Sequence, residues 1–130
     1  MFTEGKISRD IIGVAMKVHS QIGPGFNERI YHNAMIIALK DFGFKLEPEK
    51  EFEVYFQDRK IGKFRVDILV EDKIIVELKA VSGEIPKIFQ SQVISYLKAS
   101  KIEVGLLINF GNSSIEVKRL ARYKNYNKSV

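Results

Sequence analysis

The chain has 130 residues, 45% of them hydrophobic, and its 21 Lys and Arg against 16 Asp and Glu leave a formal charge of +5. That balance argues against intrinsic disorder, and the length suits one domain over residues 1–130, with roughly two-thirds of the unfolded surface removed from water on folding. Cys is absent, which excludes disulfides, thiol nucleophiles and cysteine-zinc sites. The longest apolar run, around Val104 to Ile108, is too short for a bilayer, and Met1 to Lys6 holds no apolar signal core, so the expectation is a cytoplasmic protein that does not enter a membrane.

In chain order, Ile11, Ile12, Ala15, Val18 and Ile22 recur at helical spacing, and Ser8 is placed to cap a first helix over 8–22. Gly23-Pro24-Gly25 breaks it, a second helix starts at about Asn27, and Gly43 supplies a left-handed stop. These two helices form a hairpin. From Glu51 the period changes to two. Phe52, Val54 and Phe56 mark one strand, Asp58-Arg59-Lys60 turns the chain, and Phe64, Val66, Ile68 and Val70 mark a second. Glu71-Asp72-Lys73 turns again into a third strand with Ile74, Val76, Leu78 and Ala80, which predicts a three-stranded antiparallel meander. A further helix follows with the stripe Ile88, Phe89, Gln92, Val93, Tyr96 and Leu97. Val104 to Phe110, apolar on both faces, then reads as a central strand laid parallel to the third by a right-handed crossover, and Ile115 to Leu120 adds an edge strand.

No acidic residue follows Glu116, whereas Lys118, Arg119, Arg122, Lys124 and Lys128 do, interleaved with Tyr123 and Tyr126. These five charges equal the net charge of +5. A basic tail from about residue 118 could hold a polyanion by phosphate neutralisation and ring stacking, or could be a solvated terminus.

With the second turn centred on Asp72, antiparallel register sets Leu69 opposite Ile75, Asp67 opposite Glu77 and Arg65 opposite Lys79. Asp67, Glu77 and Lys79 then share a face, with the two carboxylates about 5 Å apart at Cβ. Acids that close repel unless a cation lies between them, and a hard divalent ion such as Mg²⁺ suits them because it takes oxygen ligands and keeps waters, one of which could become a nucleophile. Lys79 would orient that water or neutralise charge on a phosphate. The same three residues also suit the polar face of a half-exposed hairpin, with Lys79 offsetting the acids. Gln92 and Tyr96 lie one turn apart on an apolar stripe, where a buried amide and a site-facing group are equally compatible with the spacing. Glu28 alone fits an acid complementing the helix dipole. His19 and His32 fall on helices with no serine near in sequence, and read as helix-surface or interhelix residues. Gly23-Pro24-Gly25 follows a helix and lacks a third glycine, so it reads as a turn that aims Glu28 and not as a dinucleotide phosphate cradle.

Together these residues form a recognisable pattern. Gly25-Phe26-Asn27-Glu28-Arg29-Ile30-Tyr31 is a G-x-x-E-x-x-Y signature, followed in order by Val66 to Val70, Val76-Glu77-Leu78-Lys79-Ala80, Gln92 to Tyr96 as Q-x-x-x-Y, and Gly105 to Gly111. The chain resembles the GxxExxY protein family within the PD-(D/E)XK nuclease superfamily. The resemblance implies an α/β fold, a restriction-endonuclease-like αβββαβ core with an N-terminal helical hairpin and a mixed central sheet. It also implies a metal-dependent nuclease acting on DNA with Mg²⁺ or Mn²⁺. Asp67, Glu77 and the Leu78 carbonyl would hold the ion, Glu28 would complete the metal shell, and Lys79 would assist attack. Gln92 and Tyr96 match the Q-x-x-x-Y element of RecB-like and Cas4-like nucleases; with Tyr31 they would position substrate, while Lys118, Arg119, Arg122 and Lys124 would contact nucleic acid. Val66 stands where the superfamily motif carries proline. Two other readings are a homodimer cutting branched DNA as junction resolvases of this fold do, and a binding module for nucleic acid or protein that keeps the fold without catalysis.

Overall fold

The computed structural model describes residues 3–122. Helix α1 spans Glu4–Ile22 and starts four residues earlier than the pattern suggests: Thr3 is the cap, its Oγ1 accepting from Lys6 N at 3.2 Å. Ser8 is inside the helix, with its hydroxyl turned back to Gly5 O. Helix α2, Glu28–Phe42, begins after Asn27, whose side chain accepts from Ile30 N, and ends where Gly43 takes φ 110°. Both ends fall where the sequence places them.

Among the described residues, seven strands follow the helical hairpin in two sheets. A five-stranded sheet has the order β1-β4-β5-β6-β7, made of Leu46–Pro48, Ile68–Val70, Ile74–Lys79, Val104–Asn109 and Glu116–Ala121. A separate two-stranded sheet pairs β2, Glu51–Phe56, with β3, Arg59–Arg65. Helix α3, Lys87–Ser100, connects β5 to β6. β5 and β6 are parallel, with Glu77 beside Leu107 and Lys79 beside Asn109, and β7 lies antiparallel at the edge, both as the crossover argument requires.

The expected meander needs correction. The run from Phe64 to Val70 is not one strand, because the chain leaves the β2–β3 hairpin at Val66-Asp67 and enters the main sheet only at Ile68. The short strand β1 takes the place beside β4 that β2 was expected to fill, pairing Leu46 with Val70 and Pro48 with Ile68. Backbone bonds from Val66 N to Lys50 O and from Glu49 N to Asp67 O tie the two departures together. The expected Leu69–Ile75 pair is present, whereas Arg65 faces Glu51 in the small sheet and not Lys79. Both hairpin turns place two consecutive residues at positive φ, Gln57-Asp58 and Glu71-Asp72; this is the primed-turn geometry that matches strand twist.

The main sheet is buried on both faces. Ile74, Val76 and Leu78 of β5 join Ile7, Ile11, Tyr31 and Met35 in the core under α1 and α2. Ile75 joins Leu69, Leu107, Val93 and Leu97 under α3. At Gly105 a Cβ would come within 2.8 Å of Val93 Cγ1, so glycine there lets α3 lie close on β6. Among the described residues no helix is long and apolar enough to cross a membrane.

Candidate active site

The alternation that buries Ile75 under α3 puts Glu77 and Lys79 on the same face, toward the carboxyl end of β5. Asp67, just ahead of β4, comes opposite Glu77, and the two acids are joined by reciprocal bonds. Asp67 N donates to Glu77 Oε2 at 2.6 Å, and Leu78 N donates to Asp67 Oδ2 at 2.7 Å. Each carboxylate thus spends one oxygen on the other strand's backbone. In an extended strand the N–H and C=O of one residue point to the same side, so the Leu78 carbonyl also opens toward Asp67.

The electrostatics are strained in a specific way. Glu77 is only 5% exposed. Burial and then the neighbouring Asp67 charge push its carboxyl up to about 8, against the bond from Asp67 N and the attraction of Lys79. Glu28 stands on the first turn of α2, exposed at its outer side. The protein around it still strips enough water to raise its carboxyl above the ordinary range, with Lys79 opposing that rise and Asp67 adding to it. Lys79 lies 4.1 Å from the centroid of the Phe89 ring. Tyr96 stacks on Phe64 at 4.3 Å, and Phe64 in turn on Phe52, so the small sheet is pinned to α3 beside the acids. The Tyr96 hydroxyl is raised first by burial and then by Glu77 and Asp67.

Glu28, Asp67, Glu77, Lys79 and Tyr96 therefore converge. Other expected members do not. Gln92 is exposed with Ile88, which is 69% exposed; α3 buries Val93 and Leu97 and half-buries Phe89 and Tyr96, so the stripe lies to one side of the one expected. Tyr31 is fully buried, donates to Gly23 O at 2.6 Å, accepts from Phe26 N and stacks on Phe110. It holds the turn that leads into Glu28 and does not reach outward. Lys118 and Arg119 lie within β7 and not in a tail. The Arg119 guanidinium approaches Ser8 Oγ, and Arg122 pairs with Glu103 and bonds Lys101 O. Lys124, Lys128, Tyr123 and Tyr126 are outside the described residues. His19 and His32 are both buried, not on a helix surface, and His19 Nε2 lies 2.8 Å from Asn112 O.

Asn109 is a member the motif reading missed. Fully buried at the end of β6 beside Lys79, it accepts from Val81 N and Gly111 N and donates to Val81 O and Gly83 O. It clamps the loop leaving the Lys79 end of β5. A lone polar residue closing the apolar run Val104 to Ile108 was the available signal.

The donor set suits a hard divalent cation. Two adjacent carboxylates, one of them buried and reluctant to ionise beside the other, gain most from a positive ion between them. Among the described residues no group of three or more His, Asp and Glu side chains is arranged to hold a metal. Two carboxylates, one carbonyl and water are a set that Mg²⁺ accepts, because it keeps several of its waters.

A mixed sheet flanked by a helical hairpin and a crossover helix, with Glu77 and Lys79 on central strand β5 and Asp67 at the entry to β4, defines a restriction-endonuclease-like fold. The family model of the PD-(D/E)XK nuclease superfamily matches residues 5–120, and the chain belongs to that superfamily. A solved structure described as "Crystal structure of SSO0001" is similar to it with a TM-score of 0.58 at 21% identity, over 72% of this chain. The chain spans 50% of that protein's length, and the likeness is one of fold. No curated protein matches.

Proposed function

We propose that the chain is a member of the GxxExxY family and a Mg²⁺- or Mn²⁺-dependent deoxyribonuclease, working as one domain. The observation that carries this reading is the reciprocal bonding of Asp67 and Glu77 beside Lys79, which fixes two acids in register at the edge of a site. Asp67, Glu77 and the Leu78 carbonyl are the groups that would hold the ion, with Glu28 at the outer shell. The ion, when bound, supplies positive charge for a phosphate oxygen and acidifies water. The chain's own residues do the rest. Asp67 and Glu77 have their carboxyl groups held in place by hydrogen bonds from backbone amides, Leu78 N to Asp67 and Asp67 N to Glu77. Lys79 sets a fixed positive charge and three N–H donors beside them, suited to a phosphate or to the attacking water. Tyr96, stacked on Phe64, offers a hydroxyl to the nucleotide. Gln92, on the exposed flank of α3, is available to a backbone passing over that helix.

The test is cleavage of plasmid and oligonucleotide DNA with Mg²⁺ or Mn²⁺. Lys79→Ala should lower the rate on the order of 10²-fold or more while the melting temperature stays within a few degrees. Unchanged cleavage by that variant rejects the assignment. Calorimetry separates the binding-module alternative, since only the nuclease reading requires divalent binding that is lost in Asp67→Asn.

A further inference from the structure

The Lys79 ammonium has an unusual partner for a cation placed among acids. Glu77 and Glu28 both feel its charge, yet Lys79 forms no ion pair among the described residues. It lies instead over the face of Phe89, 4.1 Å from the ring centroid. Phe89 is well held: it sits on the first turn of α3, its N–H bonds to Pro86 O at 3.0 Å, and its ring packs against the cluster of Val66, Leu69, Ile75 and Val93. An aromatic face attracts an ammonium through its quadrupole without adding a negative charge. It also offers no oxygen lone pair, so the N–H donors that do not face the ring stay available to another acceptor. A carboxylate partner would do the opposite, neutralising the charge and fixing the donors.

We propose that Phe89 is a positioning residue for DNA cleavage that acts through Lys79: its ring face parks the ammonium clear of Glu77 and Glu28, leaving the charge and its donors for a substrate phosphate. This rests on the nuclease reading and adds a residue that the acid–lysine motif does not contain. Leu at position 89 would keep an apolar side chain against the α3 core but remove the quadrupole. Tyr would keep both. The side chain at 89 should therefore affect turnover more than substrate binding, because the ammonium position matters most where phosphate charge develops.

Two readouts test this on the full chain. In the first, the Lys79 Hε resonances of the wild type should lie upfield of those of an exposed lysine through the Phe89 ring current, and should return to the ordinary position in Phe89→Leu. In the second, Phe89→Leu should lower kcat about three- to thirty-fold with KM within about twofold, and Phe89→Tyr should recover most of the loss. Circular dichroism and melting of both variants exclude unfolding as the cause. Unshifted Lys79 resonances in the wild type, or full turnover by a folded Phe89→Leu, would overturn the proposal. A wild type that cleaves no nucleic acid while its Lys79 resonances remain shifted would overturn the nuclease reading and leave the contact standing.

Discussion

Glu77 carries a cost that the folded chain meets only in part. Its carboxyl, pushed up to about 8 against a usual 4.5 by burial and then by Asp67, still holds its proton in the metal-free fold at pH values where the unfolded chain has released it. The stability this group contributes is fully present below about pH 4.5 and is lost as pH rises to about 8. In the presence of chelator, the urea midpoint should therefore fall between pH 5 and pH 8.5, and Glu77→Gln should flatten that part of the profile. An unaltered slope in Glu77→Gln would place the titration elsewhere. That the two acids and the lysine share a face could be read from register, because the Glu71-Asp72 turn and the Leu69–Ile75 pair fix which residues face each other; register alone did not separate a site from a polar hairpin face. The anomalous proton could not, since it depends on how deeply the folded chain buries Glu77. Gln92 misled for a related reason: i, i+4 spacing aligns Ile88, Gln92 and Tyr96, but α3 turns Val93 and Leu97 onto β6, where Gly105 leaves room for them.

At the scale of elements, the caps and stops of α2, the parallel β5–β6 pair and the edge strand β7 were legible because each rests on local chemistry or on a handedness rule. The split between β3 and β4 was not, because the two-residue period runs unbroken through Phe64, Val66, Ile68 and Val70 and gives no mark where the sheet changes. β1 has three residues, one of them Pro48, and carries too little pattern to be seen. Two glycines separate packing from propensity. A Cβ on Gly111 would lie 2.3 Å from Val81 O, within the loop that Asn109 clamps, so Gly111→Ala should cost roughly 3 kcal/mol by denaturant melting. Gly13, in the middle of α1, has open space where a methyl group would stand, with nothing within 4 Å, and Gly13→Ala should instead gain about 0.5–1 kcal/mol. Equal effects of the two substitutions would show that the loop is not tightly held against β6.

At the scale of the whole molecule, positive charge among the described residues is distributed and not gathered at the acids. Lys118, Arg119 and Arg122 run along β7 and its end, and Arg122 is already paired with Glu103. Lys124 and Lys128 follow in the sequence. If these basic residues hold nucleic acid, a chain ending at Arg122 should bind DNA more weakly, and the slope of log affinity against log salt should shrink by about two as two lysines are lost. A salt slope identical to that of the full chain would assign the contacts to other residues.

The break at Val66-Asp67 has a consequence for how such a chain can diversify. The β2–β3 hairpin carries exposed Tyr55, Phe56 and Ile61 near its outer end and shares no strand with the sheet that registers Asp67 against Glu77. Lengthening the arm at its Gln57-Asp58 tip, beyond the Phe52–Phe64–Tyr96 stack, would leave the acids aligned. What the tip touches and what the acids do can thus be altered by independent mutations, one exchangeable and the other held constant by geometry.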